Sequence, residues 1–486
     1  LRGLVRLLAQ HDAPQEVYLR FGLPNKIQLS VFYNVMNFSQ NPVVSKTPFN
    51  IITKPIGPIC NIDCAYCFYL EKTKLYPRTK SFKMNEDVLE QYVRQYIEGQ
   101  PEDTPEISFG WQGGEPTLMG IPFFQSALKF QKKYKRPGMN IQNSVQSNGT
   151  LLNDDWGTFF HDNHFFLGIS IDGPEEIHDH FRNDKKGRGT FQQVMRGIEI
   201  CQKYNVEFNT LTVVQSHNGE HPVQIYDFLK KIGSTFFQFI PIVVHSENRV
   251  MDKQLDGMIF ASEENALESN IFVSEYSIGP EQWGHFLNKV FDRWLGKEDV
   301  GKIFVRDFDL MLSMVMGLPS SLCVNAKTCG REVAIEHNGD LYSCDHYVHN
   351  DYKLGNITQQ SLTEMMDSEQ QIKFGNDKCE TLPQYCLDCD FLKYCWGACP
   401  KDRIKKTPQG ESGLNYLCEG YKAFYSHTEP YFQKMAECLR MGYFAEDWNN
   451  LGALKEQARH SKPLQKPDKK MGRNGPCLCG SGKKYK

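Results

Sequence analysis

PIGPICNIDCAYCFYLEK, residues 55–72, decides the fold. It directly follows a strand candidate, Asn50–Lys54, and spaces its thiols as Cys60-x3-Cys64-x2-Cys67. Three thiolates can hold three irons of a [4Fe–4S] cluster, which leaves the fourth iron without a protein ligand. That open iron is where a small molecule can bind and accept an electron. Zinc is the competing occupant. Structural zinc takes four protein ligands, however, and a catalytic three-ligand site more often includes His. A disulfide pairing fits the spacing less well than either.

Outward from this loop, strand-like and helix-like segments alternate over residues 48–305. Five more strands are expected at Glu106–Gln112, Gln142–Ser147, Phe165–Ile171, Glu207–Val214 and Phe236–Val244. Helices are expected between them, among others at Glu86–Glu98, Phe191–Tyr204 and Val223–Lys231, with Asn85 and Thr190 as N-caps. Such alternation predicts an α/β fold with a parallel sheet, open or closed as a barrel. Ligands then gather at the C-terminal ends of the strands. Residues 306–440 read as a separate, cysteine-rich, loop-heavy domain held by metal more than by its own core. Residues 1–47 form an unassigned extension, and 441–470 a linker to a short tail motif at 471–486.

The 486 residues are 40% apolar and 23% charged, with a net charge of −3. That is globular composition, and the charge balance calls for neither nucleic acid nor an anionic membrane. No apolar run approaches the roughly 18 residues of a membrane span. The opening stretch LRGLVRLLAQHDAPQE reads as no secretory signal. Sixteen cysteines at short spacings in such a chain point to metal ligands in a reducing compartment, so a cytoplasmic location is expected.

Eight of those cysteines form a second field: Cys323, Cys329, Cys344, Cys386, Cys389, Cys395, Cys399 and Cys418. They are enough for two fully ligated clusters. A zinc ribbon is the competing structure, since a CxxC pair can serve zinc. Cys201, Cys379 and Cys438 fall outside the pattern and read as packed thiols. Asp345, directly after Cys344, is a candidate base. An Asp in a turn is more often only solvated, but here a ligand cysteine would anchor its backbone. His346 is the rival base.

The CxxxCxxC loop after the first strand resembles the radical S-adenosylmethionine superfamily, which implies a partial (β/α)6 barrel. The resemblance continues at Gly113-Gly114-Glu115-Pro116, a stretch that in the superfamily binds the cofactor's amino group. It continues at Ser170 and Asp172 in SIDGP, which resemble positions holding its sugar or carboxylate. The eight later cysteines are similar to a SPASM domain. By that resemblance Cys323, Cys329, Cys344 and Cys399 hold one auxiliary cluster, and Cys386, Cys389, Cys395 and Cys418 the other, which makes three [4Fe–4S] clusters in all. The set CxxxCxxCFYLEK, WQGGEP, QSNGT, SIDGP and Cys344-Asp345 resembles the anaerobic sulfatase-maturating enzymes. That implies oxidation of a Cys or Ser of a sulfatase polypeptide to formylglycine, with Asp345 as base and Tyr69 and Gln112 as supporting residues. An electron donor such as flavodoxin or ferredoxin is expected as partner.

The alternative within the superfamily is a SPASM-type enzyme that crosslinks or epimerises a ribosomal peptide. A metal-stabilised scaffold is the non-enzymatic alternative, and the absence of a fourth ligand near Cys67 speaks against it. The tail GRNGPCLCGSGKKYK is similar to the SEC-C zinc module but presents only Cys477 and Cys479. Two thiolates do not complete a tetrahedral site, so zinc is expected there only if the chain continues.

Overall fold

A computed structural model describes residues 44–246 and 271–460. The extension up to residue 43 and the tail with Cys477 and Cys479 lie outside the described residues. The chain divides into two compact units, Leu1–Gln433 and Lys434–Lys486. The second carries the helix Leu451–His460.

Six parallel strands run in sequence order across the sheet: β1 (Asn50–Lys54), β3 (Glu106–Trp111), β4 (Asn140–Ser147), β5 (Phe166–Ser170), β7 (Phe208–Val214) and β8 (Phe236–Pro241). The short β2 (Ile62–Cys64) and β6 (Arg182–Asp184) pair with each other outside it. So do β9 (His245–Ser246) and β10 (Phe272–Val273). β11 (Phe304–Val305) closes one edge against β8. β8 ends at Pro241, opposite the last residue of β7, Val214, although the apolar sequence runs on to Val244.

Helices cover the sheet in the expected places. Asn85 caps Glu86–Glu98 by accepting from Val88 N at 2.9 Å. This helix buries Val88, Leu89, Tyr92, Val93, Tyr96 and Ile97, a stripe at helical spacing. Tyr92 meets Phe109 and Trp111 of β3 edge-on and accepts a 2.7 Å hydrogen bond from Thr53 of β1. Thr190 stands at the expected N-cap position, but its side chain makes no capping bond. Its hydroxyl donates instead to Arg182 O at 2.8 Å. The first turn of Phe191–Lys203 is capped by Asp179, whose Oδ1 accepts from Thr190 N and Phe191 N at 2.8 and 2.9 Å.

The region after residue 306 is more regular than its sequence suggests. β12 (Glu332–Glu336) pairs in parallel with β1 from Asn50↔Glu332 to Lys54↔Glu336. β13 (Asp340–Tyr342) and β14 (Lys353–Asn356) follow in antiparallel order, so the main sheet has ten strands. The apolar run Val333–Ile335 is thereby buried on the barrel's own sheet. The helices Arg306–Val315, Glu369–Glu380 and Cys418–Arg440 complete this region. No helix among the described residues is long and apolar enough to cross a membrane.

Candidate active site

The cysteine loop leaves β1 through a turn at Gly57 and runs into β2, which pairs with β6 outside the main sheet. β2 pairs Cys64 with Arg182. The Asn148 amide sits 3.6 Å from Cys60 Sγ. Burial pushes the Cys60 thiol up to about 11 and the Cys64 thiol up to about 12. They are neutral at physiological pH unless a cationic centre displaces their protons, as metal binding does.

The loop rests on the end of β3. Gly114 N donates to Gly57 O at 2.7 Å, and Glu115 N to Ile59 O at 2.9 Å. A Cβ on Gly114 would lie 1.9 Å from Ile59 O, and one on Gly113, whose φ is +122°, would lie 2.8 Å from Gly57 O. Both positions therefore require glycine. Glu115 is fully buried. Its Oε1 accepts from Thr117 N, Thr117 Oγ1 and Ser147 Oγ, and its Oε2 from Asn148 N at 2.8 Å. The carboxylate thus ties β3 to the end of β4 beneath the loop.

A second buried cluster flanks the loop. Tyr66 OH donates to Asp172 Oδ2 at 2.5 Å, and Arg182 Nη1 donates to Tyr66 OH at 2.9 Å. Asp172 Oδ1 accepts from Val213 N at 3.3 Å. Ser170 stands half-buried at the end of β5. Arg182 Nε is buried with no hydrogen-bond partner among the described residues, a donor that suits the carboxylate of an amino-acid ligand. Tyr66 and Arg182 were not selected from sequence. The only signal was the position of Tyr66 inside CAYC.

Across the strand ends, Lys54 gathers three expected site residues. Its Nζ lies 2.5 Å from Asp345 Oδ1, 2.8 Å from Gln112 Oε1 and 4.4 Å from the centroid of the Tyr69 ring. Lys54 is 1% exposed and Asp345 14%. Gln112 Nε2 donates onward to Gln146 Oε1 at 2.5 Å. The Tyr69 hydroxyl donates to Glu336 at the end of β12, and Glu336 also pairs with His337 Nδ1 at 2.9 Å. His346 turns elsewhere: its Nδ1 is 3.7 Å from Cys399 Sγ, and burial lowers its basicity.

Cys386, Cys389, Cys395 and Cys418 line one cavity, walled by Leu392 and Tyr425 among others. The Cys323 thiol lies within electrostatic reach of Cys344 and Cys399, and Cys344 within reach of Cys399 and Cys329. Burial raises the Cys323, Cys344, Cys395 and Cys418 thiols as it does those of Cys60 and Cys64. Among the described residues no three His, Cys, Asp or Glu are drawn together tightly enough for a single metal ion. A soft, all-thiol donor set around a wider space suits an iron–sulfur cube. Cys201 is buried in the helix Phe191–Lys203, and Cys379 contacts Asn376 O at 3.4 Å.

Residues 55–229 match the radical SAM superfamily, and residues 323–390 match an iron–sulfur cluster-binding domain, SPASM. Fold and site therefore define a radical SAM enzyme with a SPASM domain. A serine-type anaerobic sulfatase-maturating enzyme of Bacteroides thetaiotaomicron is 45% identical over 81% of this chain and 92% of its own length. A cysteine-type one of Clostridium novyi is 35% identical over 77% and 94%. The solved structure of native anSMEcpe with bound AdoMet superposes with a TM-score of 0.67 at 32% identity, over 80% of this chain and all of that one. The chain belongs to the anaerobic sulfatase-maturating enzymes.

Proposed function

We propose that the chain activates sulfatases by oxidising a Cys or Ser of the sulfatase polypeptide to formylglycine. The observation that carries the reading is the convergence of Asp345, Gln112 and Tyr69 on Lys54 at the strand ends, beside the cysteine loop. Cys60, Cys64 and Cys67 hold the first [4Fe–4S] cluster. Cys323, Cys329, Cys344 and Cys399 hold a second, and Cys386, Cys389, Cys395 and Cys418 a third. Bound S-adenosylmethionine and the clusters supply hydrogen-atom abstraction from the substrate Cβ and uptake of the second electron.

The chain's own residues do the rest. Gly113 and Gly114 let the backbone approach the cofactor's amino group, and Glu115 fixes that strand end from beneath. The buried Arg182 Nε would receive the cofactor's carboxylate, with Ser170 beside it. Asp172 holds Tyr66 and Arg182 in place. Asp345 takes the Sγ or Oγ proton of the substrate, and Lys54 keeps the carboxylate oriented as it does so. A reducing donor such as flavodoxin or ferredoxin and a cytoplasmic location suit thiols that must stay reduced.

Anaerobic incubation with reductant, S-adenosylmethionine and sulfatase peptides carrying Cys or Ser tests this reading. It requires 5′-deoxyadenosine and an aldehyde product: about 2 Da lighter than the Ser peptide by two-electron oxidation alone, and about 18 Da lighter than the Cys peptide, where water then replaces the sulfur of the thioaldehyde and sulfide leaves. Deoxyadenosine without aldehyde would favour a peptide-crosslinking or epimerising enzyme.

A further inference from the structure

The two cysteine sets of the C-terminal region are joined by three residues. Cys395 lines the cavity shared with Cys386, Cys389 and Cys418, whereas Cys399 lies with Cys329 and Cys344. Between them Trp396, Gly397 and Ala398 all have positive φ, at +47°, +67° and +50°. Left-handed backbone costs a residue with a side chain about 1–2 kcal/mol. A run of three, two of them not glycine, persists only where the surroundings hold it.

Arg403 holds it. Its Nη2 donates to Trp396 O at 2.9 Å and its Nε to Gly397 O at 3.0 Å. A Cβ on Gly397 would lie 2.7 Å from Nη2 and 2.4 Å from Leu382 Cδ2, so bridge and guanidinium are in close contact. Four thiols act on this cation: Cys386 and Cys395 from one set, Cys399 and Cys329 from the other. The neighbouring cation Lys378 donates to the carbonyls of Cys323, Val324 and Ala326 and also acts on Cys323, Cys329 and Cys395, but it makes no bond to the Trp396–Ala398 bridge.

An arginine keeps its charge at every accessible pH. An iron–sulfur cluster gains a negative charge when it is reduced, and its potential follows the local charge. A cation held between the ligands of two clusters would favour the reduced form of both, and a low-dielectric surround strengthens the effect. We infer that Arg403 is a positioning residue that sets the reduction potentials of the two auxiliary clusters together and holds their spacing through the Trp396–Ala398 bridge. The inference rests on the reading that these eight cysteines ligate two clusters.

The test uses the full chain, reconstituted anaerobically with iron and sulfide. Wild type should take up about twelve irons, as three four-iron cubes require. Uptake of only four would sink the ligand assignment itself, whatever Arg403 does. Redox titration followed by electron paramagnetic resonance then compares wild type with Arg403→Met and Arg403→Lys. Arg403→Met should lower both auxiliary potentials, so that the reduced fraction at fixed poise falls about tenfold, or about 59 mV for a one-electron couple. The cluster at Cys60, Cys64 and Cys67 should not move. Arg403→Lys, which keeps the charge, should retain wild-type potentials. A Met variant with full iron and unchanged potentials, or with only one auxiliary cluster shifted, overturns the inference. Should Arg403→Met fail to hold iron, Arg403→Lys decides. Normal potentials in it support the inference, while shifted potentials or lost iron reduce Arg403 to a carbonyl clamp.

Discussion

A buried ammonium without partners costs several kcal/mol, and Lys54 has been given two partners and a ring face. Its carboxylate partner is the candidate base, so the ion pair orients a catalytic group as well as satisfying a buried cation. Lys54→Met should therefore leave S-adenosylmethionine cleavage to 5′-deoxyadenosine in place while aldehyde formation falls about 10²-fold or more, the range of a lost general base. Asp345→Asn should give the same split. Equal loss of deoxyadenosine and aldehyde in Lys54→Met would mean that the lysine only supports the fold. The sequence pointed to Asp345 because a ligand cysteine precedes it. It did not point to Lys54, because a lone lysine at a strand end belongs to no spacing pattern. Its meaning comes from a partner in a distant part of the chain. Arg182 was hidden for the same reason, since its contacts to Tyr66 lie across the site.

At the level of elements, the end of β3 serves as the floor of the cysteine loop. Gly114→Ala would place a methyl group 1.9 Å from Ile59 O, a contact between backbone segments that a side-chain rotation cannot relieve. The variant should fold its sheet, lose the iron bound by Cys60, Cys64 and Cys67, and form no deoxyadenosine. Iron analysis and cluster spectra check this: about four of twelve irons should be missing. A Gly114→Ala enzyme with a full iron complement would show that the loop can seat itself without this contact. The strands of the parallel sheet were legible because buried parallel strands read as short apolar, β-branched runs. Their helices were legible from the 3.6-residue stripe, as in Val88–Ile97. Thr190 misled because its competitor for the cap, Asp179, stands on the preceding helix, out of range of any local pattern.

On the scale of the molecule, β12 matters most. It turns a domain expected to stand apart into a continuation of the main sheet, and this explains how Asp345 comes to lie over Lys54. Parallel pairing between strands so far apart in sequence leaves no local signature, so nothing in the sequence showed that the two domains share a sheet. Between the helices Glu369–Glu380 and Cys418–Arg440 the chain has only short elements, Gln384–Leu387, Leu392–Cys395 and Pro400–Asp402, and relies more on its cysteines. Stripping iron anaerobically with a chelator should therefore open residues 380–417 to proteolysis first, while fragments spanning β1–β8 survive. Mass analysis of the fragments checks this. Uniform digestion of the iron-free chain would place the metal's contribution to stability across the whole fold.

The pairing of β1 with β12 also bears on how the chain is made. As the polypeptide leaves the ribosome, β3 can cover one edge of β1 early, but the other edge waits until residues 332–336 emerge. During that interval an apolar strand edge and an ammonium at position 54 are both exposed to the cell, and such edges recruit other chains. Nascent chains of this protein should need holding by chaperones until late in synthesis. Products terminated before residue 332 should accumulate as aggregates, not as shortened radical enzymes.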